Sequence, residues 1–349
     1  MIATLVTSIA LAASLVGISA PIAPIAAEQA RPIPDLTADR WIVYDADTDV
    51  VLASWDADTQ ASMASVTKVL TAMVVIDNVE LGEVVTIPEF VTNIRGSTAG
   101  LVAGEEWTVG DLLIAMLVRS GNDAALTLGY HVGGESIDKF VLMMNAKARE
   151  LGLDNTHFAN PNGLDHEEHY SSARDLLSII VASQEYPDIR RISRIRIVTM
   201  PENPDGETRT FKNTNKLLGA YPGAIGLKTG DTPWADKVLL GVAEQNGRTI
   251  YTVVMGSDDH FSDTRELLDW AYSTYSVSDR WLRPLYSQEG GGAVTNSPDL
   301  SEGHERRLSV MQPLDDGRWN TSSLEDLPKA AIIGRWIREA IPESIGGQG

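Results

Sequence analysis

The sequence predicts an α+β domain over residues 35–275, an antiparallel sheet with helices packed on its faces. Two observations carry that prediction. Strand-like apolar runs stand at both ends of the region, at 41–44 and 50–53 near its start and at 224–227, 237–243 and 249–255 near its end. Between them, hydrophobic residues recur at helical spacing in segment after segment. The chain has 349 residues, 43% of them hydrophobic, so it can bury a core of that size.

Each element has its own signal. Residues 41–44 (WIVY) and 50–53 (VVLA), joined by Asp45-Ala46-Asp47-Thr48-Asp49, read as a hairpin. A helix headed by Ser65 runs on the apolar stretch 69–76 and ends near Asn78, and 83–87 is extended. Thr108 caps a helix over 109–118 that carries Leu112, Leu113, Met116 and Leu117 on one side. That helix stops at Arg119-Ser120-Gly121-Asn122, and another follows over 123–132. The pattern returns over 137–151, closed by Gly152 at a C′ position. Asn160-Pro161-Asn162-Gly163 is turn chemistry, and Ser171 or Ser172 then caps a helix running through Ala182. Residues 196–200 read as a strand and 213–218 as a short helical turn. The three late strands, closely linked, are antiparallel, and 263–275 is a final helix.

The ends differ from this domain. Residues 1–27 are almost free of charge and rich in Ala, Ile, Leu and Val, with Ala23, Ala26 and Ala27 as small residues for a cleavage site. They read as a secretory signal, or as an uncleaved anchor, since no Lys or Arg precedes Arg31. Residues 28–34 are a linker. Residues 276–349 form a partly flexible C-terminal extension, with a Gly- and Ser-rich stretch at 288–298 and a short amphipathic helix at 330–341 that either docks on the domain or touches a membrane surface.

Composition excludes several classes of function. A formal charge of −20, from 28 basic and 48 acidic residues, argues against nucleic acid as a partner, because phosphate neutralisation needs an excess of Lys and Arg. Cysteine is absent, which removes disulfide frameworks, thiolate metal sites and cysteine nucleophiles. His166-Glu167-Glu168-His169 lacks the H-E-x-x-H spacing of a zinc site, so neither metal nor cofactor is expected.

Three short motifs carry chemistry. Ser65-Val66-Thr67-Lys68 puts a hydroxyl and an amine three residues apart at a helix start, within reach of each other. The pair works as nucleophile and base only if desolvation or a nearby cation keeps the amine neutral. Ser120-Gly121-Asn122 lies in a loop between helices, and Lys228-Thr229-Gly230 ends a predicted strand. S-x-x-K, S-x-N and K-T-G together are the set found in penicillin-binding proteins and class A β-lactamases.

With these motifs in this order, the chain resembles the low-molecular-mass penicillin-binding proteins, the serine D-alanyl-D-alanine carboxypeptidases of peptidase family S11. The resemblance extends over 35–275. It is carried also by Asp123-Ala124-Ala125, residues 140–145 (FVLMMN), Asn155-Thr156-His157-Phe158, Asn160-Pro161-Asn162-Gly163-Leu164 and His169-Tyr170-Ser171-Ser172-Ala173-Arg174-Asp175. It implies a β-lactamase/transpeptidase-like fold, with a helical subdomain carrying the S-G-N motif. It also implies an exported enzyme that removes the terminal D-alanine of peptidoglycan stem peptides and is acylated by β-lactams.

The roles follow from the same resemblance. Ser65 would attack the carbonyl between two D-alanines, Lys68 would take its proton, and Ser120 would relay a proton to the leaving amine. Asn122 would hold the substrate backbone and orient Lys68. Lys228 would keep Lys68 neutral and, with Thr229, bind the terminal carboxylate. Gly230 would let substrate lie along the strand, and the N–H groups of Ser65 and Asp231 would form the oxyanion hole. Three departures bear on specificity. Asp231 stands where relatives often have an aromatic residue or His, Ala235-Asp236 replaces an Ala-Gly pair, and His260 stands where relatives often have a carboxylate-binding Arg. The same motifs fit a D,D-endopeptidase on cross-links or a weakened cell-wall-binding protein. A class A β-lactamase fits less well, because the segments around Glu167 and Glu168 match the carboxypeptidases.

Overall fold

A computed structural model describes residues 32–200 and 208–274 and the backbone of 286–287. The N-terminal segment 1–27 and nearly all of the extension, including the expected helix at 330–341, lie outside the described residues.

A six-stranded sheet organises the domain. The hairpin of β1 (Arg40–Asp45) and β2 (Val50–Trp55) forms as the alternating apolar runs predict, and β1 pairs on its other side with β9 (Arg248–Ser257). Beyond β9 come β8 (Asp236–Gln245) and then β7 (Ala224–Thr232) at the edge, all antiparallel. A two-residue strand β10 (Tyr286–Ser287) adds in parallel to β2 and closes the order β10-β2-β1-β9-β8-β7. That strand comes from the region the sequence reading assigned to the extension.

Both faces of the sheet are covered, so its strands are apolar on both sides. Ile42 and Tyr44 of β1 join one core with Val253 and Met255 of β9. Trp41 and Val43 join the other with Ile250 and Val254. The period of two divides the residues between the layers. The second core is closed by α7 (His260–Thr274) through Leu267, Leu268, Trp270 and Ala271. The first is closed by α1 (Lys68–Asn78), α2 (Val109–Val118), α3 (Asn122–Val132), α4 (Ile137–Glu150), α5 (Ala173–Ser183) and α6 (Pro187–Ser193).

The capping predictions agree in detail. Thr108 accepts from the Asp111 amide at the start of α2, and Ser172 accepts from the Asp175 amide at the start of α5. Gly152, with φ +67°, follows the last turn of α4. Two small hairpins complete the chain, β3 (Val84–Thr86) with β4 (Glu106–Thr108) and β5 (Ile197–Thr199) with β6 (Thr210–Lys212). The sequence reading had no signal for β4, β6 or α6, which are three, three and seven residues long, too short for a period to show.

Two expectations about motif placement are corrected. Lys228-Thr229-Gly230 lies inside β7, which continues to Thr232, because the edge strand keeps pairing with β8 as far as the Thr232–Asp236 pair. Ser65 belongs not to α1 but to a 3₁₀ turn over Ala64–Thr67 that precedes it. With three residues per turn, that geometry eclipses positions i and i+3, which brings Ser65 and Lys68 together more directly than an α-helix would. The expected short helical turn at 213–218 is present, with the Leu218 amide donating to the Asn215 carbonyl at 3.3 Å and the turn running on to Ala220.

Candidate active site

The 3₁₀ turn, the α2–α3 loop and edge strand β7 meet around Lys68. This side chain is fully buried, at 0% exposure. Its Nζ lies 2.8 Å from Ser65 Oγ, 2.8 Å from Asn122 Oδ1 and 2.6 Å from the Asn162 carbonyl oxygen. The Asn122 amide cannot be turned round, since its Nδ2 donates to the Arg95 carbonyl at 2.7 Å. Two of the three partners of Nζ can therefore only accept. A neutral amine has two N–H groups and one lone pair, so it donates to Asn122 and Asn162 and is left to accept the Ser65 hydroxyl proton.

Electrostatics favour that neutral form. Burial pushes the Lys68 amine well below its ordinary value, the Lys228 charge adds to the effect, and the Asp123 carboxylate opposes it. Lys228 is itself buried and pushed down by that burial to about 7. Its Nζ donates to Ser120 Oγ at 2.9 Å and to the Thr229 carbonyl at 2.9 Å. Ser120, Asn122 and Thr229 are buried, whereas Ser65 is half-buried and open to a substrate.

Backbone conformation aims these groups. Ala64 (φ +50°) and Ser120 (φ +64°) both occupy the left-handed region, one beside the nucleophile and one at the second hydroxyl. Gly230 is the point where β7 meets the Ser65 turn, and a Cβ there would lie 3.1 Å from the Ser65 nitrogen and 2.8 Å from Ala64 Cβ. At Gly163 a Cβ would fall 2.1 Å from the Ala64 carbonyl oxygen. Glycine lets both the strand and the 160–164 loop close on the turn. As the sheet's edge, β7 leaves one row of its backbone groups free beside Ser65.

A support beneath the turn escaped the sequence reading. The Ala159 amide donates to His169 Nδ1 at 3.1 Å, so the His169 proton sits on Nε2 and is donated to Thr67 Oγ1 at 2.7 Å. Thr67 Oγ1 in turn donates to the Ala64 carbonyl at 2.7 Å. Burial, with His166, His157 and Lys68 nearby, pushes the His169 imidazole down to about 3, so the relay stays neutral. Both ring nitrogens are thus engaged within the protein. Asp123 plays a similar part for the loop facing Asn122, accepting from the Ala99 amide at 2.9 Å and the Leu101 amide at 3.1 Å. The Asn162 carbonyl was also missed, because a backbone acceptor carries no residue signal.

The departures find places as well. Asp231 is exposed beside the K-T-G motif. Asp236 has φ +49°, a left-handed position that glycine takes freely and Asp tolerates. His260 opens α7, is buried, and has neither ring nitrogen hydrogen-bonded among the described residues. Burial, aided by Lys237 and Lys216 against the pull of Asp259 and Asp231, pushes it down to about 4. At neutral pH it carries no charge, unlike an arginine.

An antiparallel sheet flanked by helices, with a serine whose buried lysine partner is shifted towards its neutral form beside a second Ser-Lys pair, defines a serine acyl-transfer enzyme of the penicillin-binding fold. Comparison with known proteins agrees. The family described as D-alanyl-D-alanine carboxypeptidase, peptidase S11, matches residues 26–259, and the chain belongs to it. It is 36% identical to the D-alanyl-D-alanine carboxypeptidase DacB2 of Mycobacterium tuberculosis over 250 residues, which is 69% of this chain and 84% of that protein. It is 32% identical to a D-alanyl-D-alanine endopeptidase of Escherichia coli, covering 71% of this chain and 82% of that one. The crystal structure of a Streptomyces DD-transpeptidase superposes with a TM-score of 0.67 at 31% identity, covering 70% of this chain and 100% of that one.

Proposed function

We propose that this chain is a serine-type D-Ala-D-Ala carboxypeptidase working through an acyl-enzyme on Ser65. The observation that carries the reading is Ser65 Oγ 2.8 Å from the Nζ of a fully buried Lys68, whose amine is pushed well below its ordinary value by that burial and by Lys228 and so can serve as the base for Ser65. Ser65 Oγ bonds to the carbonyl carbon of the penultimate D-alanine while its proton passes to Lys68. As the peptide C–N bond breaks, Ser120 delivers its proton to the departing amine and takes up the one that Lys68 holds, with Lys228 alongside, so that Lys68 is again a neutral amine. D-alanine leaves, water attacks the ester carbonyl while Lys68 takes its proton, and that proton returns to Ser65 Oγ as the ester C–O bond breaks and the shortened peptide is freed. The terminal carboxylate would rest on Lys228 and Thr229, the carbonyl oxygen on the N–H groups of Ser65 and Asp231, and the peptide along the edge of β7.

β-Lactams acylate the same serine, and action on peptidoglycan places the catalytic domain outside the cytoplasm. Export through residues 1–27 and surface contact through residues 330–341 belong to the same proposal, and N-terminal sequencing of the secreted protein tests the first. The test of the catalytic reading is intact-protein mass after incubation with a fluorescent penicillin, followed by D-alanine release from diacetyl-Lys-D-Ala-D-Ala. The expected result is stoichiometric labelling and release, both lost in Ser65→Ala. A chain that takes no label contradicts the reading. Label without D-alanine release favours a second reading, a D,D-endopeptidase on cross-links, which a groove beside Thr229 supports.

A further inference from the structure

That groove, about 180 Å³ in volume, lies between the β5–β6 hairpin and the turn that follows it, and its lining includes Arg196, Lys212, Asn213, Asn215 and Lys216. Its wall is joined to the catalytic cluster. Thr214 Oγ1 lies 2.7 Å from Thr229 Oγ1, and the Thr214 amide donates to the carbonyl of Val118, two residues before Ser120. Asn213 anchors the wall from the other side, its Nδ2 donating to the Ile195 carbonyl at 2.8 Å and its backbone amide to the Arg196 carbonyl at 2.9 Å. Lys216 then leads towards α7, with its Nζ 5.7 Å from the ring centroid of Phe261.

Three features of the lining point to an anionic ligand. First, Arg196, Lys212 and Lys216 make no ion pair among the described residues, although the chain carries a net charge of −20. Second, Asn215 is 2% exposed, its Oδ1 accepts from the Leu217 amide at 3.0 Å, and its Nδ2 has no hydrogen-bond partner. A buried amide donor left unmet costs stability unless something arrives to accept from it. Third, Gly219, with φ +77°, leaves room for the Arg196 guanidinium, whose Cζ lies 2.5 Å from where a Cβ would stand. The guanidinium is thus exposed but lies against the bare backbone at Gly219, and its planar fork suits a carboxylate.

We propose that this groove is a subsite for a second acidic group on the leaving-group side of the scissile bond. It would take a carboxylate carried by the amino acid or peptide that departs, beyond the terminal carboxylate held at Lys228 and Thr229. The inference rests on the carboxypeptidase reading, since it takes Thr229 as the end of the cleft where the leaving group lies. A single D-alanine has no second carboxylate. A leaving group that is part of a neighbouring acidic stem peptide has one, so the groove favours acidic or cross-linked substrates over the simple terminus.

The experiment compares two peptides that differ only in charge at that place, diacetyl-Lys-D-Ala-D-Glu and diacetyl-Lys-D-Ala-D-Gln. Wild-type protein is expected to show a kcat/KM about tenfold higher for the D-Glu peptide, with the preference shrinking as salt is raised. In the double variant Arg196→Gln, Lys212→Gln the preference should disappear, while penicillin labelling of Ser65, which reports an intact fold, stays at the wild-type rate. Should neither peptide be cleaved, their relative protection of Ser65 against penicillin reads the same preference. Equal values for the two peptides in the wild type, or a preference that survives in the double variant, overturn the groove inference and leave the carboxypeptidase reading standing. Absence of any penicillin labelling in the wild type instead overturns that reading, and the groove inference with it.

Discussion

At the scale of the residue, the chemistry turns on how two buried lysines share one charge. In the proposed mechanism Lys68 is neutral to accept the Ser65 proton, and Lys228 is charged to hold a carboxylate. Burial lowers both, and Lys228 sits at about 7. The expected profile of kcat/KM against pH is a bell. Its acid limb reports protonation of Lys68. On its alkaline limb KM rises, about tenfold per unit above pH 7, as Lys228 loses its proton, while saturating kcat changes less; a KM that stays flat from pH 7 to 9 would contradict this assignment. Asp231 is the other residue with a predictable effect, being an exposed carboxylate beside the place meant for a substrate carboxylate. Asp231→Asn should lower KM by roughly two- to fivefold at low ionic strength, and the gain should fade in high salt. Asp236, in contrast, bears on the backbone, filling a left-handed position at the start of β8.

At the scale of the element, the 3₁₀ turn over Ala64–Thr67 is the part that has to be held. It is too short to hold itself, and its support comes from elsewhere. Strand β7 reaches it at Gly230, the 160–164 loop reaches it at Gly163, and the His169–Thr67–Ala64 relay ties its carbonyl down from beneath. Thr67→Val would break the relay and leave the buried His169 Nε2–H without an acceptor, a loss of about 1–3 kcal/mol in stability. Because Thr67 positions rather than reacts, the acylation rate by penicillin should fall by about tenfold or more while reversible peptide binding is little changed, and Thr67→Ser should restore the rate. Stopped-flow acylation with each variant distinguishes this from a purely structural role, which would lower stability and leave the rate of the folded protein alone.

At the scale of the whole molecule, the sheet is a partition with a core on each side, and the site lies where its edge meets the helical layer. The two layers are also pinned by buried polar groups. The Arg248 Nε donates to Asp45 at 2.7 Å and its Nη1 to the Ala271 carbonyl at 3.1 Å, linking β9, β1 and α7. Buried imidazoles contribute to acid stability. His169 and His260 are pushed from 6.5 to about 3 and about 4, so both are neutral in the folded state and free to charge in the unfolded one. Below pH 6.5 the unfolded chain therefore binds more protons, and stability falls as pH drops. The slope approaches about 1.4 kcal/mol per pH unit for each group. The midpoint of thermal unfolding should decline from pH 6.5 towards 4, and less steeply in His260→Gln, as measured by circular dichroism.

How much of this was legible in the sequence depends on the range of the interaction that decides it. Ser65, Lys68, Ser120, Asn122, Lys228, Thr229 and Gly230 stand in short contiguous motifs, and the strands and helices of the core announce themselves by period, so the sequence by itself determined the fold class and pointed to the residues proposed to react. It also determined the cap at Thr108 and narrowed the cap of α5 to Ser171 or Ser172, since a cap needs only its own first turn. What tertiary structure decided is everything that depends on residues distant in the chain. The neutrality of Lys68 depends on burial and on Lys228; the tautomer of His169 depends on the Ala159 amide. The reach of β7 past Gly230 follows from its pairing with β8, and the basic groove exists only because the turn at 213–218 is tied at once to Thr229, to Val118 and to Arg196. Local propensity records none of these, because each is a long-range contact that becomes favourable only after the sheet has formed.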